Sequence, residues 1–190
     1  MRFIALILLA SSLLAGCTTT PSRPLPARQD VGDFALEARF ALRVSTPGED
    51  VQSSGGRLSW QKKSGRNRFL LSNPLGFGIA EIESTPGHAV LRTANGETRE
   101  SDNPDSLLEE VTGQRLPVSR LPDWLLGRST EPAKIQRDFL GRPQQMLDAG
   151  WQVDYSYDND AADALPSILK LNRNGEIELR LRIEEWKDAP

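Results

Sequence analysis

Phe34-Ala35-Leu36-Glu37-Ala38-Arg39-Phe40-Ala41-Leu42-Arg43-Val44-Ser45 decides the fold class. Phe34, Leu36, Ala38, Phe40, Leu42 and Val44 alternate with Glu37, Arg39, Arg43 and Ser45. Successive side chains of an extended chain point to opposite faces, so this is a strand with one apolar and one wet face. The chain closes the same way. Behind an Asn174-Gly175 turn, Ile177, Leu179, Leu181 and Ile183 interleave with Glu176, Glu178, Arg180, Arg182 and Glu184.

Outward from residue 45, Pro47-Gly48 turns the chain, and a second strand spans about residues 51–62 with Leu58 and Trp60 on one face. Ser64-Gly65 leads into a third strand over 66–72. Asn73-Pro74-Leu75-Gly76-Phe77-Gly78 interrupts it, then 79–84 resumes, Pro86-Gly87 turns and 88–93 follows. Asn95-Gly96 is a tight-hairpin signal before a short strand through Thr98. The pattern then changes. Asn103 caps a helix starting at Pro104, with Asp105 in its first turn, Leu107, Leu108 and Val111 on one face and Gly113 at its end. A second helix starts near Ser119. Pro122 is tolerated in its first turn, Asp123 suits the dipole, Leu121, Trp124 and Leu125 form its apolar face, and Gly127 stops it. Strands return over 134–139, 144–147, 151–157, 168–172 and 176–186.

The expected chain is therefore mainly β (α+β), with about ten or eleven antiparallel strands and two helices inserted between them; so long a sheet curls rather than lying flat. The helices supply cover for its inner face. The expected architecture is an incomplete, strongly curled antiparallel β-barrel with short helices as a lid. Alternation leaves its interior open to two readings, a packed core or an apolar cavity.

The first residues carry a different signal. Arg2 gives a positive start, residues 3–14 form an apolar run broken only by Ser11 and Ser12, and Leu14-Ala15-Gly16-Cys17 closes it. This reads as a bacterial lipoprotein signal, cut before Cys17 and lipidated on its thiol. The run is well short of the ~20 residues that span a bilayer. An ordinary secretory signal with an incidental cysteine is the alternative. Thr18, rather than an aspartate, follows the cysteine, which favours the outer membrane of a diderm bacterium. The expected division is a signal peptide over 1–16, a lipidated cysteine and flexible Pro- and Ser/Thr-rich tether over 17–28, and one folded domain over 29–190.

Composition excludes several function classes. The formal net charge is −3 with no Lys/Arg cluster, which argues against nucleic acid as a partner. Cys17 is the only cysteine, so an internal disulfide and a multi-cysteine zinc site are excluded. His88 is the only histidine; it has no nucleophile partners and makes no multi-histidine metal site. Glu184 and Glu185 beside Trp186 invite a glycosidase reading, but neighbours on a strand are expected on opposite faces and do not flank one bond. Neither enzymatic activity, nor a cofactor, nor a metal is expected.

Several pieces in order carry a resemblance. They are the lipobox at 14–17, Leu58-Ser59-Trp60-Gln61, Leu70-Leu71-Ser72-Asn73-Pro74-Leu75-Gly76, the stretch from Leu107 to Gly113, Leu121-Pro122-Asp123-Trp124-Leu125-Leu126-Gly127, and the final strand to Trp186. In this order and spacing the chain resembles the LolB family of outer-membrane lipoproteins. The resemblance implies an incomplete barrel with helices across its opening. It implies a monomer, lipid-anchored in the outer membrane and facing the periplasm. Such a protein takes acylated lipoproteins from a soluble periplasmic carrier of the LolA type and inserts them into outer-membrane lipid, without nucleotide hydrolysis. A triacylated cysteine carries on the order of 40 methylenes, each worth about 0.8 kcal/mol on leaving water, so its chains must pass from one apolar site directly to the next.

On this reading the inward faces form an acyl-chain cavity. Its candidates are Phe40 and Leu42, Leu58 and Trp60, Phe69 and Leu71, Leu91, Trp124 and Leu125, Trp151, and Leu179 and Leu181. The same residue types pack a core, and a one-residue slip would invert the face. The resemblance makes 73–78 a membrane-insertion loop. Leu75 matches the family's exposed apolar residue, Phe77 enlarges the wedge, and Pro74 and Gly76 shape the turn. Arg39, Arg57, Arg66 and Arg68 are either a landing site for an acidic rim on the donor or an ordinary solvated sheet face. Two other functions stay open: a different lipid- or glycolipid-binding envelope lipoprotein on the same fold, and a non-carrier envelope assembly lipoprotein with a filled core.

Overall fold

The computed structural model describes residues 26–130 and 132–189. The lipobox, Cys17 and the tether up to residue 25 lie outside the described residues. The described chain builds β1 (Phe34–Val44), β2 (Gln52–Lys63), β3 (Arg66–Ser72), β4 (Gly78–Thr85), β5 (His88–Thr93) and β6 (Thr98–Ser101). Two helices follow, α1 (Pro104–Thr112) and α2 (Leu121–Trp124). The sheet resumes with β7 (Lys134–Arg137), β8 (Pro143–Asp148), β9 (Trp151–Ser156), β10 (Ile168–Arg173) and β11 (Ile177–Lys187).

All eleven strands join one antiparallel sheet, in the order β6-β5-β4-β3-β2-β1-β11-β10-β9-β8-β7. The two long strands read first in the sequence meet at its centre. Phe40 stands opposite Leu181 and Leu42 opposite Leu179, so both apolar rows share the inner face. The edges are β6 and β7, which do not pair, so the sheet curls without closing. The expected fold class is the observed one.

The end where β1 begins is filled. The Phe34 ring meets Trp60 at 5.1 Å and Trp186 at 5.5 Å, both edge-on, and Trp60 lies 4.7 Å from Phe69. Both indoles in this cluster satisfy their N–H groups: Trp60 Nε1 donates to Asn67 Oδ1 and Trp186 Nε1 to the Pro166 carbonyl. The expected cap of α1 is present. Asn103 Oδ1 accepts from the Asp105 amide at 2.9 Å, and Gly113 ends the helix at φ 68°. Leu107 and Leu108 are buried, whereas the Val111 side chain lies outside the described residues.

Local expectations fail at five places. The strand expected to end at Thr98 begins there and runs to Ser101. The second helix starts at Leu121, because residues 116–120 form turns first. The strand expected over 134–139 ends at Arg137, because the Asp138 carboxylate captures the next amides and bends the chain. Arg28, assigned to the tether, belongs to the folded domain: its Nη1 donates to the Leu126 carbonyl, and its own carbonyl accepts from Arg128. Finally, Glu184 and Glu185 do not split across the sheet. Glu37 pairs with Glu185 and Ala38 with Ile183, so Glu184 is the extra residue of a bulge and both carboxylates are exposed. Arg39 holds Glu184 at 2.6 Å and Lys187 holds Glu185 at 2.9 Å.

Candidate functional site: an apolar cavity beside an exposed hairpin

The opposite end of the barrel is hollow, and β2 makes it so. Its inner row runs Trp60, Leu58, Gly56, Ser54, Gln52, shrinking from an indole to small or polar groups. β3 also stops early, with Ser72 opposite Arg57, so residues 52–56 pair only with β1. Glycine is required at 56: a Cβ there would sit 2.1 Å from the Ser72 carbonyl oxygen and 3.1 Å from the Phe40 ring. The result is an apolar cavity of about 400 Å³.

Its walls include seven expected residues: Phe40, Leu42, Leu58, Phe69, Leu71, Leu179 and Leu181. The other five expected residues, Trp60, Leu91, Trp124, Leu125 and Trp151, are buried away from it. Trp60 belongs to the aromatic cluster of the filled end, and Trp124 packs on Trp151 at 6.4 Å. Sequence reasoning missed Val44, Ile79, Ile82 and the small-residue wall 52–55. The signal for that wall was present: Ser53-Ser54-Gly55-Gly56 breaks the apolar alternation inside a strand.

The lid supplies Leu108 and Thr112 from α1, then Leu116, Val118 and Leu121. It is pinned on both sides. Asp105 of α1 accepts from the Ser119 amide at 2.8 Å and its hydroxyl at 2.9 Å. On the far side, buried Asp148 of β8 accepts from Trp124 Nε1 at 2.7 Å and Ser129 Oγ at 2.9 Å. Tyr155 of β9 donates to the Trp124 carbonyl at 2.7 Å. Burial pushes the Tyr155 phenol far above its ordinary range, so it stays a neutral donor.

The 73–78 segment is a rigid turn with apolar side chains outside. Asn73 Oδ1 accepts from the amides of Leu75 and Phe77, the Asn73 amide donates to the Phe77 carbonyl, and Gly76 takes φ 94°. Leu75 is 83% exposed and Phe77 69%. Leu71 and Ile79, on the strands just before and after, line the cavity, so the hairpin leaves the sheet at the edge of the chamber. Pro74 and Gly76 are also exposed.

The remaining candidates are quiet. Arg39 pairs with Glu184, and Arg68 with Glu81 at 2.7 Å, on the solvated outer face. Those hydrogen bonds and charges raise the Arg68 pKa further. Arg57 borders the depression that holds Glu184 and Glu185, and Arg66 is exposed. His88 is exposed at the start of β5. Among the described residues, no group of three or more His, Cys, Asp or Glu is placed to hold a metal.

An open half-barrel with an apolar chamber under a pinned lid defines the class. The family model described as outer membrane lipoprotein LolB matches residues 32–186. The chain is 58% identical over 190 residues to the outer-membrane lipoprotein LolB of Dechloromonas aromatica (strain RCB), covering all of both chains. It is 35% identical over 177 residues to that of Bordetella petrii, covering 92% of this chain and 88% of the relative. The chain belongs to the LolB family of outer-membrane lipoproteins. Among solved structures, a putative outer membrane lipoprotein-sorting protein domain from Vibrio parahaemolyticus matches with a TM-score of 0.51 at 10% identity. That match covers 85% of this chain and 87% of the other, a likeness of fold alone.

Proposed function

We propose that this protein, a monomer anchored through lipid on Cys17 and facing the periplasm, receives acylated lipoproteins from a LolA-type periplasmic carrier. It holds their acyl chains in the cavity and delivers them to the outer membrane, with no nucleotide hydrolysis and no covalent step. The observation that carries this reading is adjacency: Leu71 and Ile79 line the chamber and flank the hairpin bearing the exposed Leu75 and Phe77. An acyl chain leaving the chamber on that side emerges at the base of the hairpin. Exposed apolar side chains on a rigid turn are otherwise costly in water and mark interaction sites. Each handover needs only an acceptor that binds better than the donor.

The chamber of about 400 Å³ lies within the ~300–1,000 Å³ range of ligand sites.

The test is transfer with purified parts. A donor carrier loaded with radiolabelled lipoprotein is mixed with the mature protein (Cys17→Ala) with and without liposomes. Label is expected to move onto this protein and then into liposomes. Leu75→Glu spares the first step and lowers the second more than about tenfold, because a carboxylate resists entry into the bilayer. It leaves stability within about 0.5 kcal/mol, since the side chain is exposed. No movement from an active donor would overturn the carrier reading in favour of a different lipid-binding role.

A further inference from the structure

A second hairpin repeats the construction of the first. In residues 138–142 the Asp138 Oδ1 accepts from the amides of Leu140 and Arg142. The Asp138 amide donates to the Arg142 carbonyl, and the Gly141 amide to the Asp138 carbonyl. Asn73, Leu75, Gly76 and Phe77 make the same four bonds at the same spacing. The product is the same too, an apolar side chain held out in water: Phe139 is 89% exposed.

This hairpin is clamped harder than the first. Arg142 is buried; its Nε donates to Asp138 at 2.7 Å, its Nη1 donates to the Asn159 carbonyl at 2.6 Å, and its guanidinium lies 4.2 Å over the Tyr157 ring. Desolvation works to raise the Asp138 pKa, but the Arg142 side chain and the Arg142 and Leu140 amides outweigh it and hold the carboxylate below its ordinary range. Nothing in this arrangement folds Phe139 back onto the sheet.

Its position is opposite to that of the first. β1 runs from the filled end to the hollow end, and strand alternation sends β3 the same way. β7 runs back toward the filled end, so the Phe139 hairpin leaves that end. The N-terminal segment is there as well. Arg28 is fixed to Leu126, and a Cβ on the next residue, Gly127, would strike Pro143 immediately after the hairpin. Eight residues separate Cys17 from Pro26, a reach of about 30 Å when fully extended. A lipid on Cys17 therefore keeps this end of the barrel near the bilayer. Exposed Arg137 stands beside the hairpin, its Nη1 donating to the Gly141 carbonyl, while the loop that Arg142 binds carries exposed Asp158, Asp160 and Asp163.

We propose that the 138–142 hairpin is a second membrane contact: Phe139 enters the interfacial layer of the bilayer that holds the Cys17 lipid, and turns the hollow end toward the periplasm. This rests on the anchored-carrier reading above. An exposed aromatic ring on a clamped turn, at the end of the domain where the lipid tether enters, is the chemistry of an interfacial anchor. In this resting pose the chamber faces an incoming donor. Delivery through Leu75 then requires the domain to roll over, with Phe139 releasing.

The test uses the full mature lipidated protein in phosphatidylethanolamine–phosphatidylglycerol vesicles. A fluorophore is placed by Gln136→Cys, beside the hairpin, or by Ala94→Cys, an exposed turn at the hollow end. Quenching by aqueous iodide is expected to be several-fold weaker at 136 than at 94. Phe139→Ser, at an exposed position, leaves the fold intact and abolishes the difference. Equal quenching at the two positions, or shielding unchanged by Phe139→Ser, overturns the proposal and assigns the hairpin to a protein partner or to water. Lipoprotein delivery is read in the same preparations with an active loaded donor. Failure of delivery by the labelled parent overturns the carrier reading itself, whereas intact delivery with an unshielded 136 label overturns the membrane contact alone.

Discussion

The two halves of β1 carry the same kind of side chain into opposite surroundings. Phe34, Leu36 and Ala38 enter a filled end closed by Trp60, Phe69 and Trp186, while Phe40, Leu42 and Val44 face a chamber. The difference does not come from β1. It comes from its neighbour, whose inner row changes from Trp60 and Leu58 to Gly56, Ser54 and Gln52. A cavity in this fold is made by what one strand leaves out, and the lining residues are core residues whose partners are missing.

The largest test of that contrast is Trp60→Ala at the filled end. It is expected to cost about 3–5 kcal/mol in urea unfolding, because it removes an indole packed on two rings and strands the Asn67 carbonyl. A sharper version uses one substitution twice on one strand. Leu36→Ala is expected to cost about 2–5 kcal/mol, and Leu42→Ala roughly half as much, because its neighbours already stand apart. Equal losses would mean that the two ends are equally packed in solution.

The next effect is set by pH. Burial pushes the Tyr157 phenol up to about 12, against about 10 in an unfolded chain. The raised value favours the neutral form in the fold. Its contribution is fully present below pH 10 and is lost as pH rises toward 12. Because the ring is only half-buried, the loss is on the order of 1 kcal/mol after solvent screening. Tyr157→Phe is expected to remove this part of the alkaline loss and leave the part due to the more deeply buried Tyr155. The smallest change in stability comes from Ser54→Phe at the chamber mouth. It should shift unfolding by no more than about 0.5 kcal/mol, yet block uptake of label from a loaded donor. Normal uptake by this variant would place the acyl chains elsewhere.

The strands were readable because alternation directly reports a sheet with one dry face, and Asn103 and Gly113 bracketed α1 because caps act locally. The chamber was only partly readable. Leu42 and Leu36 look alike in sequence, and only the register with Ser54 and Trp60 separates them. Trp124 and Trp151 were expected at the cavity because they are large and apolar, but Asp148 draws the Trp124 indole to the β8 side. The Phe139 hairpin was hidden inside an expected strand, because Asp138 ends β7 through hydrogen bonds that periodicity does not register.

The unpaired edges have a mechanical meaning. β6 and β7 are four residues each, carry charge, and never meet, so the ladder of backbone bonds has a permanent seam. Across that seam lies the lid, with α1 against β5 and β6 and α2 pinned to β8 and β9. A closed barrel would have to tear strand pairs apart to widen. Here no ladder bond crosses the gap, which is held by the buried Leu107, Leu108, Trp124, Leu125 and Leu126 of the lid and by the side-chain bonds around Asp105, Ser119 and Asp148. What joins the two edges is packing and side-chain bonding, the kind of contact that can open locally while every strand pair stays made.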